Sequence, residues 1–315
     1  MKIILALLFL TACQTTSNAS GEKIMESNLP DYDSMWNYGN PSETREKFLM
    51  VLKETEGNAD LSYTLQLKTQ IARTYSLESK FDDAHKVLDE VQTQLNGDTP
   101  VAEVRYLLER GRTHNSANER QKAKALFEQS YHKSTEINSV NYAIDAAHMI
   151  AIAAETLEEK IEWSKKGIKE AEQSSDTSVK GWIGVFHNNM GWAFFEAKRY
   201  AEALEQFQTC WNFHQERQNK ESLSIAKWSY AKTLRLLGKI DASLKIQLEL
   251  LEETNGEDKS GYTYEELAEL YLIKEAQEQS KMYFTKAYEI LSKDVWLMKN
   301  EKARMDRMKE LSGSN

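Results

Sequence analysis

From Thr44 onward, apolar residues recur every three or four positions, the period of a helix with one buried face. The pattern is plainest at Asn-Asn-Met-Gly-Trp-Ala-Phe-Phe-Glu-Ala-Lys-Arg-Tyr-Ala-Glu-Ala-Leu-Glu-Gln-Phe, residues 188–207. Small residues stand at Gly191 and Ala203, and large apolar ones at Phe194, Tyr200 and Phe207, with Cys210 beyond. Two helices pack closely only where small side chains let their backbones approach, with bulky groups filling the gaps on either side. The spacing therefore predicts a hairpin of two helices.

The same phase returns along the chain. Ala72 leads to Tyr75, Phe81, Ala84, Leu88 and Val91, and Gly111 leads to His114, Ala123, Phe127 and Ser130. Ala268 leads to Tyr271, Ser280, Phe284 and Ala287, and Ala231 leads to Leu234, Ile240 and Ser243, with Gln247 where a large apolar residue is expected. Ala147 heads the weakest copy: Ile150 and Trp163 fit, Glu159 and Lys166 do not, and the hairpin is expected to be degenerate or to have a shortened turn near Thr156. The anchors lie 39, 36, 44, 40 and 37 residues apart. A repeated period of this size marks a stack of like units. Pro41-Ser42 reads as a helix start with Ser42 as cap, and 42–55 as a half-repeat. Asp294–Leu311 reads as one amphipathic helix closing the last exposed face. Gly57-Asn58, Asn96–Pro100, Ser174–Thr177, Asn219–Ser222 and Asn255–Gly261 are the turns between hairpins.

This arrangement resembles the tetratricopeptide repeat (TPR). The resemblance implies an all-α fold, a TPR-like α-solenoid: a right-handed superhelix of about six hairpins, with an N-terminal half-repeat and a C-terminal capping helix. The stretch 36–311 is also similar to a group of bacterial TPR proteins without an assigned biochemistry. It is carried by Trp36-Asn37-Tyr38 with Pro41, Gln70-Ile71-Ala72-Arg73, Leu107–Arg112, Asp145–His148 and Tyr264–Leu267. That resemblance supports the fold and supplies no activity.

The first residues differ. One lysine precedes an unbroken apolar run from Ile3 to Leu10, too short to span a bilayer, which takes about 20 residues, but of the length of a signal-peptide core. Leu10-Thr11-Ala12-Cys13 resembles the lipobox of bacterial lipoproteins. The resemblance implies a signal peptide over 1–12, lipidation of Cys13 and, with Gln14 rather than aspartate following, an outer-membrane lipoprotein facing the periplasm. Residues 13–40 are then a lipidated tether and N-terminal lid, with Trp36 and Tyr38 docking on the first helices, and 41–311 the solenoid. The Asp31-x-Asp33 start lacks the glycine and closing glutamate of a calcium loop.

Composition narrows the partners. The chain has 315 residues, 40 Lys+Arg against 49 Asp+Glu, and a net charge of -9. An acidic surface disfavours nucleic acid and anionic lipid, so the membrane is expected to be reached through the N-terminal lipid alone. Three prolines, none beyond Pro100, suit an all-helical body.

In a TPR solenoid the first helices of the hairpins line the groove. Positions -6, -3, +1 and +4 from each anchor share one sector of those helices. That sector holds Arg73, Arg105, Arg112, Asn115 and His148 in the first half, then Asn188, Trp192, Phe195, Trp228, Lys232 and Arg235. Arginine offers a planar fork for carboxylates and tryptophan a rigid apolar surface. The expected ligand is an acidic, aromatic-containing peptide or protein segment. The competing expectation is that Arg73 and Arg112 pair with acids such as Glu109, and that Trp192 and Trp228 pack between hairpins. The lysine–asparagine pairing of the chaperone-binding carboxylate clamp is not reproduced in the first three hairpins. No metal or cofactor is expected: the six histidines form no His-x-x-x-His pair, and no nucleophile elbow or phosphate loop occurs. His114 sits in a packing slot, and Cys210 reads as a buried thiol. The leading expectation is a non-catalytic adaptor; a cytoplasmic peptide sensor is the alternative, and an enzyme with an unrecognised groove site a distant third.

Overall fold

The computed structural model describes residues 29–313, and all regular secondary structure among them is helical. The expected signal peptide over 1–12 and the expected lipidation site Cys13 lie outside the described residues. The chain divides into two compact units, one ending at Asn189 and one beginning at Met190. No helix among the described residues is long and apolar enough to cross a membrane.

The first unit opens with a 3-10 turn, Tyr32–Met35, followed by α1 (Pro41–Glu54). Three hairpins follow: α2 (Leu61–Leu77) with α3 (Phe81–Gln92), α4 (Pro100–Ser116) with α5 (Arg120–Glu136), and α6 (Val140–Ala153) with α7 (Leu157–Gln173). A short α8 (Thr177–Lys180) ends at Gly181, and α9 (Trp182–Glu196) runs across the boundary between the units. Local signals set these limits. Asn40, not Ser42, caps α1, its side-chain oxygen accepting from the Glu43 N–H at 3.3 Å, because Pro41 fits the first helical position. Ser79 and Asn118 adopt left-handed backbone at the hairpin tips, and the next N–H reaches back to Tyr75 O (3.0 Å) and His114 O (2.8 Å). The third hairpin turns without this device: α6 stops at Ala153 and Thr156 caps α7, so of the two expectations there the structure has the shortened turn.

The core of this unit follows the repeat. Phe48, Leu65, Leu88, Leu108, Phe127, Ile144, Ile150 and Phe186 are fully buried. Burying one such side chain contributes about 1.5–3 kcal/mol.

The second unit continues with α10 (Tyr200–Glu216), α11 (Lys220–Leu236), α12 (Ile240–Glu253), α13 (Tyr262–Ile273) and α14 (Gln277–Leu291). Gly191 lies against the Phe207 ring so closely that no Cβ fits between them. The small residues at the other crossings include Ser243 and Ser280, whose hydroxyls donate to Ala231 O (2.7 Å) and Ala268 O (3.0 Å) of the facing helix. Gln247, at the expected apolar position, is fully buried. The terminal cap is two helices rather than one: α15 (Val295–Asn300) and α16 (Lys302–Ser312), parted at Glu301, whose backbone leaves the helical region. The break re-aims α16 so that Met305 and Met308 seal the face left open by α14.

Candidate functional site

The site lies in the first unit, on the face that α2, α4 and α6 turn away from their partner helices. The Tyr32–Tyr38 segment lies across it. Asp33 accepts a bidentate pair of hydrogen bonds from Arg105 of α4, at 2.7 and 2.8 Å. Arg105 is only 6 % exposed, and it also donates to the Tyr142 hydroxyl of α6 at 3.2 Å and lies beside the Tyr32 hydroxyl at 3.4 Å. Burial by itself would raise the Asp33 carboxyl, but the Arg105 charge and hydrogen bonds, helped by Arg73, outweigh it and hold it below the usual carboxylate range. Tyr32 is buried edge-on against Phe48 and Tyr63, and burial pushes its phenol well up.

Further along, Trp36 stands edge-on to Phe48, stacks on Tyr38 at 4.7 Å between ring centres, and donates its indole N–H to Gln70 of α2 at 3.3 Å. The Arg73 guanidinium covers both rings, 5.7 Å from Trp36 and 5.4 Å from Tyr38. Asn37 is tied to α1, its N–H donating to Thr44 Oγ1 at 3.0 Å. Tyr63 donates to Pro30 O at 2.8 Å. An aromatic, acidic segment thus occupies a face made of arginine, glutamine and tyrosine.

The remaining first-half candidates form one ionic chain. Arg73 of α2 donates to Glu109 of α4 at 3.3 Å, and Arg112 donates to the same Glu109 oxygen at 2.6 Å and to Asp145 of α6 at 2.5 and 2.6 Å. Burial opposes the Asp145 charge, yet Arg112 holds its carboxyl below the usual range. His148 is buried beside Trp182, and desolvation, with a lesser contribution from Arg112, lowers it to about 4 against the pull of Asp145. Asn115 is half-buried on the last turn of α4. Asn188 is half-buried on α9, with Oδ1 enclosed.

In the second unit the expected groove residues pack instead. Trp192 and Trp228 are 4 % and 6 % exposed, with ring centres 6.0 Å apart, and Phe195 packs edge-on against Trp192. The picture of open groove indoles is corrected here: stacking turns positions -3 and +1 of one hairpin toward the first helix of the next. Lys232 and Arg235 both bind Glu266 of α13, Arg235 at 2.7 and 3.0 Å. Glu266 is fully buried, and although desolvation alone would raise it, the two cations lower it to about 2. Glu265, beside it, accepts from Arg304 of α16 at 2.6 Å.

One rule links these pairs, and the sequence reading lacked it. The cation one residue after an anchor meets the acid two residues before the next anchor: Arg73 with Glu109, Arg112 with Asp145, Lys232 with Glu266. Gln70 holds that acid's position in the first hairpin and receives Trp36, so the N-terminal segment stands where a preceding hairpin would. A polar residue recurring at -2, inside an otherwise apolar helix, was the available signal. Asp33, Tyr32 and Tyr142 carried none.

The other chemistry-bearing residues sit apart. Cys210 is buried, and desolvation pushes its thiol up to about 12, far from a reactive thiolate. His114 accepts packing from His85 and hydrogen-bonds Glu119 at 2.5 Å. Among the described residues no group of three His, Cys, Asp or Glu is placed to hold a metal ion.

Helical hairpins stacked in sequence, each with small residues at its crossing, define a TPR-type α-solenoid. No protein-family model matches the chain, and neither does any curated protein. Solved structures do. The apo form of RapI is 14% identical over 90% of this chain and 81% of its own, with a TM-score of 0.68. A signal-transduction ATPase with a tetratricopeptide-repeat sensor, from Pyrococcus horikoshii, is 15% identical over 85% of this chain, with a TM-score of 0.66. This chain spans only 42% of that protein. NprR, in complex with its cognate peptide NprX, is 15% identical over 85% of this chain and 78% of its own, with a TM-score of 0.56. These likenesses show the TPR fold.

Proposed function

We propose that this protein is a non-catalytic scaffold that holds a peptide or protein segment on the first-helix face of its N-terminal unit. It is tethered to the outer membrane through a lipidated Cys13 and faces the periplasm. The observation that carries the binding reading is the Asp33–Arg105 pair: a segment of the chain already lies across that face, with its carboxylate on a buried arginine. The face therefore has the chemistry of peptide recognition, a guanidinium fork flanked by aromatic surface. The NprR likeness, to a TPR fold with a bound peptide, supports the same reading. The anchor rests on the lipobox-like Leu10–Cys13.

Two arms test it. Crosslinking in cells, followed by mass spectrometry, should capture a partner that Arg105→Glu loses while the helical content stays unchanged; a partner retained by Arg105→Glu refutes the site. Labelled palmitate should enter the wild-type chain and not Cys13→Ala; a wild-type chain that takes up no label refutes the anchor.

A further inference from the structure

We propose that residues 31–38 are an internal stand-in for the ligand, and that the partner is a segment carrying the same chemistry: an aspartate next to a tyrosine, with a tryptophan three or four residues on. This deepens the reading above and rests on it. The partner binds by displacing the chain's own segment, so the docked segment sets the affinity.

Several observations separate a stand-in from a simple strap. Arg105 is nearly buried, and Asp33 is the one carboxylate among the described residues that pairs with it. A guanidinium left there without a carboxylate is costly, so the face calls for an acid at this point whichever chain supplies it. The side chains of the segment reach three different helices: Tyr32 and Trp36 pack on Phe48 of α1, Trp36 and Tyr38 meet Gln70 and Arg73 of α2, and Asp33 pairs with Arg105 of α4. Two of these helices, α2 and α4, are joined by the Arg73–Glu109 pair, and α4 is joined to α6 by Arg112–Asp145. These interhelical pairs do not involve the segment. The segment is held by side-chain packing and a few hydrogen bonds, its only regular backbone structure being a four-residue 3-10 turn.

Competition of this kind has a quantitative signature. A site open for only a fraction of the time shows an apparent Kd raised by the inverse of that fraction. The probe is a fluorescein-labelled synthetic peptide of residues 29–40, added to the full chain. Asp33→Arg places two like charges together and expels the segment, so it should bind the peptide at least about tenfold more tightly than the wild type. Arg105→Asp should bind it no better than the wild type, because the carboxylate's partner is gone. Hydrogen exchange supplies an independent reading. Residues 32–38 should exchange faster in Asp33→Arg and regain protection in Asp33→Arg/Arg105→Asp, which restores an ion pair with its sense reversed.

Equal peptide affinity in the wild type and Asp33→Arg overturns the proposal, as does unchanged exchange of residues 32–38 in Asp33→Arg. These failures are distinct from failure of the scaffold reading. If a cellular partner is lost on Arg105→Glu but is captured equally by wild type and Asp33→Arg, the face binds and the stand-in idea alone is wrong.

Discussion

Arg105 and Asp33, seventy-two residues apart in sequence, form a two-pronged ion pair across the first-helix face of the N-terminal unit. The arginine is enclosed, whereas the aspartate side chain keeps about a quarter of its surface in solvent. That asymmetry decides what a substitution does. Asp33→Asn leaves a buried cation uncompensated, but the segment can lift and let water reach it, so the penalty falls on docking rather than on the helices. Breaking a buried pair costs about 3–5 kcal/mol; partial exposure of Asp33 brings the expected cost to about 2 kcal/mol. The Asn37 amide, held by Thr44 Oγ1, should therefore exchange about 30-fold faster, while the urea midpoint of the full chain barely moves.

Glu266 makes a second, pH-dependent prediction. The two cations hold its folded-state pKa at about 2, below the ordinary carboxyl value of 4.5. Between those values the unfolded chain binds more protons, so stability falls as the pH falls. The contribution is fully present above about pH 4.5 and lost toward pH 2, amounting to about 3 kcal/mol. Glu266→Gln should lower stability at pH 7 and flatten its decline below pH 4.5, as read from urea midpoints at successive pH values.

His148 acts higher on the scale. Burial holds the imidazole at about 4, against the ordinary 6.5 of a solvated histidine, so the folded protein keeps it neutral where the unfolded chain protonates it. Stability contributed by the neutral ring is complete above pH 6.5 and declines as the pH falls toward 4. Between pH 7 and pH 5 the loss is about 2 kcal/mol. Denaturation of His148→Gln should show a correspondingly smaller change over that interval.

Gly191 tests the repeat geometry. Alanine has the better helix propensity, by about 1 kcal/mol, but its Cβ would run into the fully buried Phe207 ring. Overpacking costs about 1–3 kcal/mol and wins, so Gly191→Ala should lower the melting temperature. A gain would mean that the ring has room to shift.

Much of the architecture was readable in the residues because it rests on steric pattern. The small–large–small spacing from Ala72, Gly111 and Ala268 marks helix crossings, and the failed spacing after Ala147 marked the hairpin whose turn is short. The cap was harder: Asp294–Leu311 is amphipathic throughout, and nothing in that periodicity announces the break at Glu301. The site was legible only in outline. Arg105, with Trp36 and Tyr38 as docking residues, follows from composition and helical phase. Its acid, Asp33, comes from a non-repeating segment whose path no periodicity describes. Trp192 and Trp228 occupy the expected sector, yet that sector is covered where neighbouring first helices meet. Pairing of Arg73 and Arg112 with Glu109 was the competing expectation and is what the structure shows, whereas Asp145 and Glu266 as partners depend on stacking distance, which a single repeat does not contain.

The most direct test of the account is a photo-reactive residue placed in the living cell. Asn115 is half-buried on the last turn of α4, in the same sector as Arg105, whereas Glu90 is exposed on α3, a partner helix. A crosslinker at position 115 should trap a discrete peptide or protein partner, with the yield raised by Asp33→Arg, and a crosslinker at position 90 should not. Identical adducts from both positions, or adducts from position 90 alone, would contradict a binding face on the first helices.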